Sequence, residues 1–338
     1  MKVLLYFQDY DKIGNSGIGR AQRHQTIALK AAGINVTYDP KDSFDIAHIN
    51  TIWAKSERLL KRCKKKGIPV IVHGHSTHED FRDSFACWKL IEPVFDHQLD
   101  KMYREADLII TPTEYSKKCI DSYHLGTKVI AISNGIDTNE YQSNLDAQES
   151  FRKLFSLAKG EKFVMGVGFP FMRKGIDTFF EVARAYPAIK FIWFGHLDWI
   201  LQSSRIHHLL SHKPSNVIMP GYIKGDLIKA SYRLASCMLF PSREETEGIV
   251  TLEALASETP LLIRDIGVYD PWLKDGINCH KAKTTEEFIS KLGHILENGD
   301  DPSILKAGYQ VAEERNLGAV GDELKKVYES LLKQKNAG

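Results

Sequence analysis

Short apolar runs alternate with longer amphipathic stretches along the whole chain. The first run, Lys2–Phe7, is almost continuously apolar and is typical of a buried parallel strand. A stretch with helical spacing follows and ends at Gly33, and Ile34–Tyr38 predicts the next strand. Further strand-like runs, with helical stretches between them, are Ile46–Ile49, Pro69–His73, Leu108–Thr111 and Lys128–Ser133. This order predicts a parallel sheet covered by helices on both faces.

The same alternation starts again after the polar stretch Asp137–Ser150. Its strand-like runs are Phe163–Val167, Phe191–Phe194, Asn216–Met219, Cys237–Phe240 and Pro260–Ile263. For 338 residues, two domains are the expected number. The sequence therefore predicts an α/β protein with two Rossmann-like domains, residues 1–145 and 146–317, whose parallel sheets face each other across a cleft. A closing helix at about 318–335 is expected to pack back on the first domain.

Composition and charge argue against several classes of protein. Hydrophobic residues make up 43% of the chain and charged residues 26%, which is typical of a globular protein rather than a disordered one. The net charge of +2 argues against a nucleic-acid partner bound through bulk charge. Five irregularly spaced cysteines indicate reduced thiols. With no apolar run near 18 residues and no signal-peptide pattern, we expect a cytoplasmic location.

A glycine turn near the N-terminus resembles part of a dinucleotide-binding fingerprint. Gly17 and Gly19 follow a predicted strand and open a helix, but Gln22 stands where that fingerprint has its third glycine. A side chain at this position obstructs the close packing of helix on strand, which argues against NAD binding. The turn still lets backbone amides approach an anion or a sugar, so Gly17 is a candidate binding residue.

Three histidines after the Pro69–His73 run favour a different class of protein. His73, His75 and His78 resemble the metal-binding run of metallo-β-lactamase-like hydrolases, so a zinc hydrolase is one alternative. That run carries an Asp where this chain has Thr77, and no clear downstream ligand set completes the site. A substrate-facing histidine is the other interpretation, because ligands bind beyond the carboxyl ends of parallel strands.

The segment from residue 241 to 263 carries two glutamates eight residues apart. A helix is predicted to begin near Gly248, so Glu245 lies in the preceding loop and Glu253 lies about two turns inside the helix. The first amides of such a helix have no partner within it and form an anion-binding site. Here these amides belong to Gly248, Ile249 and Val250.

Two adjacent cations follow the first strand of the second domain. Arg173 and Lys174 stand in the turn after Phe163–Val167, directly before Gly175. Two cations at the edge of this sheet suit a diphosphate group.

Seven segments together resemble the retaining GT-B glycosyltransferases of family 4. In chain order they are SGIGR (16–20), PVIVHGH (69–75), ADLIITPTEYSK (106–117), SNGID (133–137), RKGID (173–177), PGY (220–222) and the segment with Glu245 and Glu253. The pair HGHSTHEDFRDSF and EETEGIVTLEALAS is similar to Gram-positive enzymes that add a second hexose to monoglucosyl-diacylglycerol. Those enzymes build the diglycosyl lipid anchor of lipoteichoic acid.

The resemblance implies a role for each of several donor-binding residues. Glu253 would bind the ribose of a UDP-hexose, and Glu245 would hold hydroxyls of the hexose. Arg173 and Lys174 would neutralise the departing diphosphate. The remaining implied contacts are those of Gly17 with the diphosphate, His75 with the donor sugar, and the backbone at Gly221 and Tyr222 with the base.

One position departs from the family pattern, and several choices stay open. Phe169 stands where the family usually has an Arg, so Arg173 is expected to carry more of the phosphate charge. Because cations and helix amides already stabilise the leaving group, no metal or other cofactor is expected. The donor is UDP-glucose or UDP-galactose. The alternatives to a glycolipid acceptor are a soluble or polyprenyl-linked polysaccharide precursor and a catalytically silent module; the oligomeric state is undetermined.

A basic run and nearby aromatic residues predict contact with an anionic membrane. The basic residues are Lys61, Arg62, Lys64, Lys65 and Lys66, and the aromatic residues are Phe81, Phe85 and Trp88. Cationic side chains are attracted to anionic lipid, and aromatic rings favour the interface. We therefore expect a peripheral protein on the inner face of the cell membrane.

Overall fold

The computed structural model describes residues 1–10, 14 and 16–336, which divide into two compact units. The first unit consists of residues 1–81, 89–136 and the C-terminal segment from 315. The second unit consists of residues 82–88 and 137–314. This division differs from the predicted boundary after residue 145. Ile136 bonds to Arg315 and Leu317 in the first unit, whereas Tyr141 packs against Tyr232 in the second.

The first unit contains a six-stranded parallel sheet in the order β2-β1-β3-β4-β5-β6. Its strands are β1 (Lys2–Tyr6), β2 (Asn35–Thr37), β3 (Ile46–Ile49), β4 (Val70–His73), β5 (Leu108–Thr111) and β6 (Val129–Ala131). Its helices are α1 (Gly17–Ala31), α2 (Ala54–Lys65), α3 (His78–Phe81), α4 (Trp88–Glu105), α5 (Glu114–Ser122) and, at the C-terminus, α13 (Leu317–Asn336).

The second unit contains another six-stranded parallel sheet, in the order β12-β11-β10-β7-β8-β9. Its strands are β7 (Phe163–Val167), β8 (Lys190–Phe194), β9 (Val217–Gly221), β10 (Cys237–Phe240), β11 (Leu261–Arg264) and β12 (His280–Ala282). Its helices are α6 (Leu145–Leu154), α7 (Ile176–Ala185), α8 (Ser204–Ser211), α9 (Asp226–Leu234), α10 (Ile249–Ala256), α11 (Thr285–Asn298) and α12 (Pro302–Glu313). The predicted α/β class with two parallel sheets is confirmed.

The apolar strands of the first sheet serve two hydrophobic cores at once. Leu4 and Val72 point into one core, and their neighbours Leu5 and Ile71 point into the other. Successive side chains of a strand point to opposite faces, so a strand buried on both faces must be apolar at every position. This is why the strand-like runs of the sequence are continuous rather than alternating.

The C-terminal helix α13 packs on α1 within the first unit. Its residues Leu324 and Tyr328 are buried in the same core as Leu29 of α1. At Gly321 a Cβ atom would lie 2.1 Å from the Ala28 carbonyl oxygen, so glycine is required for the two helices to approach this closely. The helix begins at Leu317 and ends at Asn336, one residue beyond each predicted end.

Candidate active site

Lys174 and Glu245 meet because their loops leave the same edge of the second sheet. Strands β7 and β10 are parallel neighbours, although β8 and β9 lie between them in the sequence. Lys174 follows β7 and Glu245 follows β10. Loops at the carboxyl ends of parallel strands lie side by side, and this edge is the usual ligand site of such a sheet.

The Lys174 ammonium donates a hydrogen bond to Oε1 of Glu245 in a buried ion pair. Ser242 Oγ donates to the same carboxylate oxygen over 2.7 Å, and the Lys174 Nζ atom lies 5.5 Å from the centre of the Phe240 ring. Burial raises the pKa of Glu245, but the charges of Lys174 and Arg173 outweigh burial and hold it below its usual value. The carboxylate is therefore ionised at neutral pH.

Arg173 is buried and holds two loops of the second unit together. Its Nε donates to Ser84 Oγ over 3.0 Å, and its Nη1 donates to the Glu244 carbonyl oxygen over 2.8 Å. Its own carbonyl accepts a bond from the Arg243 amide at 2.7 Å. The sequence interpretation, which expected this guanidinium to carry more of the phosphate charge than is usual in the family, did not anticipate these bonds. A direct contact of Arg173 with a diphosphate stays a prediction.

Helix α10 begins at Ile249, with Gly248 as its N-cap in a left-handed conformation (φ 80°). An L side chain at Gly248 would be strained, and its Cβ would lie 2.9 Å from the Tyr269 hydroxyl. The first turn of α10 contains no acidic residue. A helix N-terminus of this kind can attract an anion, but anion binding at Gly248, Ile249 and Val250 stays a prediction.

Glu253 is fully buried inside α10, about one turn after the helix begins at Ile249 rather than the predicted two. Its Oε2 accepts a hydrogen bond of 2.6 Å from the Tyr232 hydroxyl, which the sequence interpretation missed. Tyr232 lies on α9, 21 residues earlier, and no local pattern links the two. The implied contact of Glu253 with a ribose stays a prediction.

Three glycines at the ends of β7, β8 and β9, namely Gly168, Gly195 and Gly221, lie close together at the same edge of the sheet. The Gly195 amide donates to the Gly221 carbonyl over 2.8 Å, and a Cβ at Gly195 would lie 2.0 Å from the Gly168 carbonyl oxygen. The Lys174 side chain lies within 4 Å of the position of a Cβ at Gly168. Tyr222 follows β9, is partly exposed, and its ring centre is 5.5 Å from Lys224 Nζ. The edge that holds the ion pair therefore continues to the predicted base-binding residues.

His75 lies in a stack of buried imidazoles in the first unit. Its ring centre is 4.1 Å from that of His73, and its Nε2 is 2.7 Å from Oδ1 of Asn50. His48 Nε2 lies 3.0 Å from His73 Nδ1 and His48 Nδ1 lies 2.6 Å from the Tyr328 hydroxyl. Burial lowers the pKa of His48 and His75, and it lowers the pKa of His73 to about 3. All three rings are therefore neutral at pH 7.

The histidine run lacks the geometry of a zinc site. His78 stacks on Tyr123 at 3.9 Å and its Nε2 lies 3.0 Å from Asp100, whereas His73 and His75 bond to different residues. Across the part of the chain that the structure describes, no group of three or more His, Cys, Asp or Glu side chains could hold a metal ion. The hydrolase alternative therefore has no support in the site.

At the start of α1, Gly19 rather than Gly17 is the crowded glycine. A Cβ at Gly19 would lie 2.1 Å from the Gly14 carbonyl oxygen, whereas a Cβ at Gly17 would meet no atom within 4 Å. Ser16 caps the helix by accepting a bond from the Gly19 amide. The two glycines in the sequence correctly indicated a tight turn at the start of this helix. That Gly17 lets the backbone approach a diphosphate stays a prediction.

The structure changes the predicted membrane surface. Phe81 stacks on Phe95 at 4.1 Å and Phe85 packs on Phe171 at 5.0 Å, and neither aromatic ring nor Trp88 is fully exposed. Part of the basic run is paired within the protein, since Lys61 bonds to Glu57, Arg62 to the Pro40 carbonyl and Lys64 to Asp107. Lys65 and Lys66 are exposed.

A group of apolar residues in the first unit faces solvent on the first turns of α4. Leu90 is 79% exposed and Val94 is 66% exposed, with Ile91 between them. The opposite side of α4 supplies Phe95 and Leu99 to the core. Of the helices described, none is long and apolar enough to cross a membrane.

Two family models match the chain. The model described as Glycosyl transferases group 1 matches residues 147–310, and the model described as Glycosyltransferase Family 4 matches residues 21–140. Each match lies mainly in one of the two α/β units.

Curated relatives cover almost the whole chain. A processive diacylglycerol alpha-glucosyltransferase of Acholeplasma laidlawii is 47% identical over 336 residues, which are 99% of this chain and 100% of the relative. An alpha-galactosylglucosyldiacylglycerol synthase of Streptococcus pneumoniae is 31% identical, over 88% of this chain and 80% of the relative. These relatives agree with the resemblance that the motifs carry.

A solved structure shares the fold. HepE from Anabaena, in complex with UDP-glucose, superposes with a TM-score of 0.77 at 16% identity, over 98% of this chain and 100% of that chain. At this identity the likeness shows the two-domain fold alone.

Proposed function

This chain belongs to glycosyltransferase family 4, and from that premise we propose that it transfers a hexose from a UDP-sugar to monoglucosyl-diacylglycerol, with retention of configuration at the anomeric carbon. The name of the 47% identical relative, an alpha-glucosyltransferase, favours UDP-glucose as the donor. UDP-galactose is the second candidate, because the relative from Streptococcus pneumoniae is named for an alpha-galactosyl product. The product is a diglycosyl-diacylglycerol, which could serve as an anchor for lipoteichoic acid.

The observation that carries the proposal is the buried ion pair of Lys174 and Glu245. Glu245 lies three residues before Gly248, the N-cap of α10. The reaction breaks the bond between the anomeric carbon and the diphosphate, so negative charge grows on the departing phosphate oxygen. A preorganised cation and helix amides stabilise such charge without reorganisation. Lys174 and the amides at the start of α10 are the groups that supply this stabilisation.

Glu245 has two roles in the proposed site. Without the donor, its carboxylate holds the Lys174 ammonium in place. With the donor bound, the same carboxylate accepts hydrogen bonds from hexose hydroxyls, and the diphosphate becomes a second partner of the ammonium. Because the pKa of Glu245 is held low, the carboxylate keeps its charge throughout.

We also propose that the reaction needs no metal ion. A divalent cation in other transferases neutralises the leaving diphosphate, and here Lys174 and the α10 amides provide positive potential at that place. Turnover should then be unchanged by a chelator such as EDTA.

The acceptor is a lipid, so the protein must reach a membrane surface. Between residues 54 and 66 the chain has seven Lys and Arg and one Glu, which attracts anionic lipid. The apolar turns of α4, with Leu90 and Val94 exposed, supply the surface that can enter the interface. We propose that α2 and α4 together form this surface, and that the protein binds the membrane peripherally.

A product assay tests the proposal directly. The protein is offered UDP-glucose or UDP-galactose, with diacylglycerol or monoglucosyl-diacylglycerol in micelles, and the lipids are analysed by mass spectrometry. We expect a mass increase of one hexose on the monoglucosyl lipid. Release of UDP without a new glycolipid, or transfer only to a soluble saccharide, would reject the lipid acceptor.

A further inference from the structure

A turn in the second unit exposes three consecutive apolar side chains. Trp199, Ile200 and Leu201 form a single 3-10 turn after β8, and Trp199 is 74% and Ile200 78% exposed. Burying them would remove apolar surface from water, so a run of this kind on a surface marks a contact with something apolar. The active-site chemistry described above makes no use of these three residues.

The turn is held in a defined shape. The Leu201 amide donates to the Asp198 carbonyl over 2.9 Å, and Gln202 Nε2 donates to the Leu197 carbonyl over 2.7 Å. Leu197 is buried, and His207 packs its ring 5.1 Å from that of Trp199. The apolar side chains therefore project from a braced turn instead of from an irregular loop.

An apolar surface links this turn to the site edge within the second unit. The Ala86 amide donates to the Leu201 carbonyl over 2.9 Å, and the adjacent Phe85 packs on Phe171. The Phe171 ring centre is 5.4 Å from that of Phe169, which is partly exposed and follows Gly168 beside Lys174. Phe169 is the residue that stands in place of the family's usual Arg.

The charge around the turn suits an anionic surface. From residue 196 to 213 the chain has two basic residues, Arg205 and Lys213, against the single acid Asp198, and Arg205 Nη2 lies 3.9 Å from an Asp177 carboxylate oxygen. Arg205 is exposed. Tryptophan favours the boundary between lipid headgroups and acyl chains, and flanking cations favour anionic headgroups.

We propose that the Trp199–Leu201 turn enters the interface of an anionic bilayer next to the transfer site. This inference rests on the proposed lipid acceptor. A glycolipid can keep its acyl chains in the bilayer only if the site itself lies at the membrane surface. The turn meets that requirement by anchoring the donor-binding unit beside the lipid whose sugar headgroup is to be extended.

Vesicle flotation tests the surface without any turnover. The double variant Trp199→Ser/Ile200→Ser is compared with Leu145→Ser, which removes a 76% exposed leucine from α6 of the same unit. On vesicles of phosphatidylcholine with about one third phosphatidylglycerol, we expect the double variant to bind at least 5-fold more weakly and the control to bind like the native protein. Equal binding of all three would overturn the proposal.

Fluorescence quenching and kinetics identify the occupant. Brominated phosphatidylcholine in the vesicles should quench the tryptophan fluorescence of the native protein more than that of Trp199→Phe, and equal quenching would overturn the proposal.

Kinetics with glycolipid in vesicles are a further test. The double variant should have a raised KM for the lipid and an unchanged KM for the UDP-sugar. A raised KM for the UDP-sugar alone would instead place a nucleotide on the turn. If the native protein binds through Trp199 but makes no glycolipid, the surface is supported and the proposed function fails.

Discussion

Lys174 and Glu245, 71 residues apart, form a buried ion pair at the edge of the second sheet. Each of the two groups compensates the buried charge of the other, so neither can be removed without leaving a charge in a poorly solvated place. The pair therefore stabilises the two loops that carry it.

Replacing Lys174 by alanine should lower turnover by about 100- to 1,000-fold, which is the usual effect of losing one donor to a developing negative charge. The measurement is kcat for hexose transfer at saturating UDP-sugar. Lys153→Ala is the matched control, since Lys153 forms an exposed ion pair with Glu149 in the same unit. Near-native kcat in the Lys174 variant would contradict the assigned role.

The same substitution should lower stability, because Glu245 loses its compensating cation. A broken buried pair costs about 3–5 kcal/mol, whereas an exposed pair such as that of Lys153 is worth about 0–1 kcal/mol. Thermal melting of both variants checks this difference. A second variant, Lys174→Ala/Glu245→Gln, should recover part of the lost stability and none of the lost turnover.

Gly175 cannot be replaced by alanine without disturbing the site. Its φ is 71°, and a Cβ there would lie 2.2 Å from the Pro241 carbonyl oxygen, a backbone atom that cannot turn away. Gly175→Ala should therefore shift Lys174 and the loop after β10, lowering both stability and kcat. Gly276→Ala is the control, because Gly276 has a similar φ of 70° but no atom within 4 Å of a Cβ position. This variant should lower the free energy of unfolding by only about 1 kcal/mol. Equal melting temperatures for the two variants would refute this account.

Acid should destabilise the first unit through its buried histidines. The buried rings of His48, His73 and His75 have lowered pKa values and are neutral when folded, whereas an unfolded histidine takes up a proton near pH 6.5. Their contribution to stability is therefore complete above about pH 6.5 and is lost as the pH falls below that value, for His73 down to its folded pKa of about 3. Each imidazole adds a slope of up to about 1.4 kcal/mol per pH unit.

Hydrogen exchange between pH 7.5 and 5 measures this effect locally. After correction for the intrinsic exchange rate, amides of β3 and β4 should lose protection as the pH falls. In His73→Gln this pH dependence should be weaker, while the surface variant His212→Gln should behave like the native protein. Protection that does not change with pH would show that the buried imidazoles do not govern the stability of this unit.

Membrane binding should depend on α4 more than on the aromatic residues of the sequence prediction. Leu90→Ser/Val94→Ser removes two exposed apolar groups, so flotation on anionic vesicles should weaken about 10-fold or more. Lys65→Gln/Lys66→Gln should weaken it less on the same vesicles and have no effect on neutral ones. Phe81 packs in the core, so Phe81→Leu should leave binding unchanged. Unaltered flotation of the Leu90 variant would refute the α4 surface.

Local pattern was sufficient for the first sheet, for five strands of the second and for the segments that carry the predicted site. It missed β12 (His280–Ala282), which has a single apolar residue. Continuous apolar runs of four or five residues, separated by amphipathic helical stretches, favour parallel strands buried on both faces. The glycine at the start of α10 and the Arg173-Lys174-Gly175 turn are likewise local features, so the sequence alone indicates an anion site at this edge.

The sequence by itself determined the α/β class, most of the strands and the turns that need glycine, and it predicted which residues bind a UDP-sugar. Only the tertiary structure decided their partners. β7 lies beside β10 in the sheet, and this places Lys174 against Glu245. Arg173 is buried between loops of the second unit, whereas Trp199 of the same unit and Leu90 of the first unit face solvent. The periodicity of the sequence shows which positions are hydrophobic. The partners of a side chain, however, are residues far away in the chain, and the packing of the whole unit decides which of them it contacts.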